Sequence, residues 1–162
     1  MSEFSTVENV ASNGNITETL EFFNKILSQK NKRLYVFTDT SIIIDIQPLE
    51  EVVEIFNQYP EVYCVYTDHI LSDRVKYNIY FPSFHQGVCN NTIINTPLIC
   101  RGDIGIQFDT TLKYLYYHDF LKRVSQTKIC WHVPKLLFSI VSSKEVPTAQ
   151  KELQRYTSGT SG

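Results

Sequence analysis

Apolar side chains recur at Leu20, Phe23, Ile26 and Leu27, a helical spacing that predicts an amphipathic helix over about 17–29. Asn15, with Glu18 three residues on, reads as a capping box at its start. The run Leu34–Thr38 (LYVFT) is β-branched and aromatic and predicts a short buried strand that ends at Asp39. Pro48 suits the first turn of a second helix. Leu49, Val52, Val53 and Phe56 supply its apolar face, and Glu50, Glu51 and Glu54 its solvent face. Val62–Tyr66 (VYCVY) is a second strand, ending in Thr67-Asp68. Helix, strand, helix, strand implies an α/β layer with parallel pairing.

Beyond Asp68 the pattern changes. Tyr77–Phe81 alternates like an edge strand, Pro82–Thr96 is loop-rich, and Leu98–Cys100 is a short strand. Asp109 is placed to cap a helix over about 110–125. Lys128–Val133 and Leu136–Ile140 read as two strands split by Pro134. Residues 1–14 lack periodicity and read as a flexible arm, 15–141 as one domain, and 142–162 as a polar tail or linker, partly disordered.

The chain has 162 residues, long enough for one domain with a real core. A net charge of -2 gives no electrostatic reason to expect a nucleic acid as partner. An aromatic share of 13% is high and suits a core with some interface or sugar-facing surface. Cys64, Cys89, Cys100 and Cys130 are widely spaced with no C-x-x-C pair, which argues against zinc. Three of them sit in apolar strand-like runs and read as reduced, buried side chains, with one disulfide left open. The polar N-terminus has no signal-peptide character and no run is long enough for a membrane span. A cytoplasmic setting, or an intracellularly assembled complex, is the resulting expectation.

Several segments together resemble family 2 glycosyltransferases. FDTTLKYLYYHDFLKR, from Phe108 to Arg123, is similar in spacing to the family's G-F-D-E-x-L-x-x-x-E-D-Y-D-L-x-L-R. ASNGNITETLEFFNKIL followed by RLYVFTDTS resembles the N-x-G-x-x-x-A-x-N helix and the strand ending in D-x-D. PLEEVVEIFNQYPEVYCVYTD, NTIINTPLICRGDIGIQFD and KICWHVPKLLFSI resemble the later segments, in order, so the likeness covers about residues 10–141. It implies a partial GT-A-like (Rossmann-like) mixed sheet with flanking helices. For an active member it implies a nucleotide sugar and Mn or Mg, with Asp39 as metal ligand. Asp39 and Asp68 would then lie on the nucleotide-sugar side, with Asp119 or His118 as base.

Three departures weigh against that chemistry. The family's strand–helix–strand–strand donor half is expected to be missing ahead of the first helix. The D-x-D becomes Asp39-Thr40-Ser41, a poor donor set for a hard cation. Tyr116 and Tyr117 stand where the family has its Glu-Asp pair, and a phenol of pKa about 10 is a poor general base. Bland roles compete for each candidate. Asp39 would cap local amides, Asp68 and Asp73 would face solvent at a turn, Asp119 would pair with Arg123 or Arg101, and Trp131 and His132 would pack in the core. The expectation is therefore a degenerate, non-catalytic module with no cofactor. It would serve as a structural or protein-interaction element, with a partner chain, a copy of itself or the N-terminal arm covering the truncated sheet edge. The alternatives are an active glycosyltransferase completed by another chain or segment, and a carbohydrate-binding module that takes a glycan on Trp131 and the tyrosines.

Overall fold

The computed structural model describes residues 4–10, 15–38, 42–43, 45–72 and 75–141. In chain order the elements are β1 (Val7–Val10), α1 (Ile16–Leu27), β2 (Leu34–Phe37), β3 (Ile42–Ile43), α2 (Gln47–Gln58), β4 (Val62–Ser72), β5 (Lys76–Ile79), α3 (Val88–Asn91), β6 (Leu98–Arg101), α4 (Tyr116–Ser125) and β7 (Ile129–Val141). The strands form one mixed sheet in the order β1-β2-β6-β4-β7-β3, with β5 added to β4. β4 is parallel to β7 and antiparallel to β6, and β2 is antiparallel to β6 and parallel to β1. The expected α/β architecture, a mixed sheet with flanking helices, is present.

Alternation along the strands divides the core between two faces. On β2, Tyr35 and Phe37 join α1, α3 and α4 on one side, while Leu34 and Val36 join α2 on the other. α1 starts as its sequence foretells: Asn15 Oδ1 accepts from the Glu18 amide at 2.9 Å and Asn15 Nδ2 donates to Glu18 Oε1. Pro48 lies in the first turn of α2, and Asp45 Oδ1 accepts from the Gln47 amide at 3.0 Å.

Several elements differ from the sequence expectation. Val7–Val10, read as arm, pair in parallel with Leu34–Phe37, so part of the arm forms the strand beside β2. Pro134 does not split the last strand. Thr67 pairs with Val133 and Asp68 with Leu136, so Pro134 and Lys135 fall in a bulge, where a missing N–H costs no ladder bond. Asp109 does not cap α4, which begins at Tyr116. Its Oδ1 instead accepts from the amide and hydroxyl of Thr111, a local turn that competes with helix.

Phe108 is the hub of the face that holds α1 and α4. Its ring lies 4.2 Å from that of Phe120, 5.4 Å from Phe23, 5.6 Å from Phe37 and 6.1 Å from Tyr117. Asn24 fixes its backbone on both sides, donating to the Phe108 carbonyl and accepting from its amide. Phe108→Ala is expected to cost about 3–5 kcal/mol in urea unfolding. A loss below about 1 kcal/mol would contradict this packing.

Candidate functional site

The sequence candidates fall in two places. The first is the junction of β4 and β7. Asp68, read as a solvent-facing turn residue or a nucleotide-side ligand, is only 1% exposed and lies inside β4. The turn reading fails because β4 continues past it, paired with β5 and β7. A carboxylate taken into a sheet needs partners. Asp68 Oδ1 accepts from the Phe81 amide at 2.9 Å and lies 2.8 Å from His132 Nε2. The His132 ring stacks on Tyr66, with centroids 4.8 Å apart, and the Tyr66 hydroxyl donates to the Pro82 carbonyl at 2.6 Å. Burial pushes the Tyr66 hydroxyl well above its ordinary pKa.

A cavity of about 300 Å³ adjoins this junction, lined by Ser83, Phe84, Ile129, Cys130, Trp131 and His132. The sequence analysis treated Asp68 and His132 separately. Their pairing comes from strands that are parallel neighbours yet 64 positions apart, which no local spacing signals. Trp131, expected in the core, is 38% exposed and stacks on Tyr59 at 5.0 Å.

The second place is the start of α4. Tyr116 and Tyr117 are buried in the core, their rings 4.7 Å apart. Asp119 Oδ2 accepts from Arg123 Nε at 3.0 Å and Nη2 at 2.9 Å, the i,i+4 pair. Arg123 also donates to the Gln107 carbonyl at 2.7 Å, which ties α4 to the preceding segment. His118 is 1% exposed, and its Nδ1 accepts from the Ile94 amide at 3.1 Å. That bond requires a lone pair on Nδ1, so the imidazole is neutral with its proton on Nε2. Burial, helped by nearby Lys122 and opposed by Asp119, lowers its pKa to about 4.

Of the two base candidates, Asp119 is thus held by a guanidinium and His118 by a backbone amide. Asp39, the proposed metal ligand, lies outside the described residues, as does Asp73. Among the described residues no group of three or more His, Cys, Asp or Glu side chains is arranged to hold a metal ion. With a single carboxylate in Asp39-Thr40-Ser41, this donor chemistry does not fit a divalent ion that must neutralise a diphosphate. No helix among the described residues is long and apolar enough to cross a membrane. No protein-family model and no curated protein matches this chain.

The 94–96 stretch is clamped between two imidazoles. His118 receives the Ile94 amide, and His69 Nδ1 lies 3.0 Å from the Thr96 hydroxyl. Asn95 adds two bonds, accepting from the His118 amide at 3.3 Å and donating to the Tyr114 carbonyl at 3.0 Å. Burial also lowers His69 to about 4, against the pull of Asp68. Both rings hold fewer protons folded than unfolded between about pH 4 and the ordinary histidine value of 6.5, so acid favours unfolding across that window. Stability is expected to be level above pH 7 and to fall as pH drops from 6.5 towards 4. In denaturant titrations, the double variant His69→Gln/His118→Gln should lose less stability between pH 6.5 and 5 than the parent does. Equal slopes would contradict the clamp.

Proposed function

We propose that this chain is a non-catalytic relative of the family 2 glycosyltransferases that serves as a structural or protein-interaction module. The observation that carries the reading is the state of the two family acidic positions. Tyr116 and Tyr117 are part of the core, their rings packed against each other, and the Tyr117 ring also meets Phe108. A core phenol cannot take a proton from an acceptor hydroxyl at neutral pH. The acidic residue that remains on the helix, Asp119, is bound to Arg123.

Support for the descent comes from the sheet. The four strands within the family-like segments, β2, β6, β4 and β7, are consecutive neighbours in it. Phe108 and Asp109 of the signature precede α4, and Phe108 packs on it through Phe120. A protein partner or a second copy of the chain is the proposed ligand class. Ile129 and Trp131 near the start of β7, with Tyr59 beside them, supply exposed apolar surface for that role.

Calorimetry with UDP and with GDP, each with and without Mn²⁺, tests the reading. No metal-dependent heat is expected at millimolar nucleotide. Micromolar, metal-dependent binding would overturn the proposal in favour of an active glycosyltransferase.

A further inference from the structure

All four cysteines of the chain converge on one buried cluster, on the face that holds α3 and α4. Three of them form a row across the middle of the sheet. Cys100 on β6 is the register partner of Cys64 on β4, and Cys64 is the register partner of Cys130 on β7. The Sγ atoms of Cys64 and Cys100 are in contact at 3.1 Å, and Cys64 also hydrogen-bonds to Cys130. Cys89 approaches the same group from α3. Thiols so gathered suggest either a metal or a redox pair, and no metal-holding group is arranged among the described residues.

We propose that Cys64 and Cys100 are a disulfide-forming pair that staples β4 to β6. Residues directly opposed on antiparallel strands have Cα atoms about 4.5 or 5.5 Å apart, and both spacings lie within the range a disulfide spans. Both side chains point to the same face of the sheet, and their sulfurs already touch. Cys64 is shared with Cys130, so the row closes one bond at a time. Cys130 is the thiol left beside that bond, positioned to exchange with it.

The timing follows from burial. Cys64, Cys100 and Cys130 are all shielded from solvent. Burial pushes the Cys64 thiol well up, a hydrogen bond to Cys64 together with burial raises Cys130, and Cys89 rises to about 12. Thiolate, the reactive form, is therefore scarce once the sheet has closed. The bond forms while β4 and β6 are docking, with a small disulfide such as oxidised glutathione as the oxidant. The Cys64 thiolate attacks one glutathione sulfur and expels the first glutathione thiol, leaving a mixed disulfide. Cys100 then attacks the Cys64 sulfur and expels the second. Two electrons and two protons pass from the cysteines to glutathione.

The test uses the wild-type chain, so no substitution confounds it. Reduced protein is unfolded, refolded in a glutathione redox buffer, alkylated, and its disulfides mapped by peptide mass spectrometry. A dominant Cys64–Cys100 bond is expected, with a melting temperature roughly 5–10 °C above that of the reduced form. Reduced protein that is already folded should react far more slowly with the same buffer. Bonds scattered over all pairings, a dominant Cys64–Cys130 bond, or four alkylated cysteines after oxidative refolding would each overturn the assignment.

Discussion

β4 is bonded along both edges and buried on both faces, and the rest of the sheet takes its position from it. Every residue from Cys64 to His69 is buried. β6 and β5 share one edge, at Cys64–Tyr66 and His69–Ser72, while β7 follows the other edge from Val62 to Ser72. A one-residue slip would exchange the faces, sending Tyr66 towards α2 and Val65 towards α4. The bulge at Pro134 and Lys135 lets β7 keep pairing across its proline. The buried Asp68–His132 pair is a consequence: strand pairing carries a carboxylate into the sheet, and a neighbouring imidazole and the Phe81 amide accommodate it.

On the proposed reading, the same face explains how a segment can resemble an enzyme family in spacing without carrying its chemistry. Phe108, Phe120 and Leu121 pack in one core cluster, and Arg123 ties Asp119 and Gln107 together. Tyr116 and Tyr117, where the resemblance would place acids, are core. A residue that packs and a residue that reacts make different demands on one helix: the first must be dry, the second must meet a substrate. In α4 Tyr116 and Tyr117 are dry, and His118 holds the Ile94 amide.

Local elements were legible where the cause was local. The Asn15 cap, Pro48 in the first turn of α2, and the apolar stripes of α1 and α2 all lie within one or two turns of their consequences. What escaped depends on distant segments. The arm around Val7 becomes a strand only because β2 offers an edge, and β4 runs on past Asp68 only because β5 and β7 flank it. Asp109 had two local options, a helix cap or a turn with Thr111, and propensity alone does not choose between them. At the candidate site, the i,i+4 pairing of Asp119 with Arg123 was readable, whereas the Asp68–His132 pair and the row of cysteines needed the strand register.

The proposal rests on Tyr116 and Tyr117 serving the core in place of chemistry. The most direct measurement restores the family acids there, as the double variant Tyr116→Glu/Tyr117→Asp, and follows both folding stability and metal-dependent nucleotide binding. Two carboxylates forced into this core should cost more than about 4 kcal/mol, or abolish folding, with no gain in binding. A variant that folds with near-parental stability and acquires metal-dependent nucleotide binding would contradict the account.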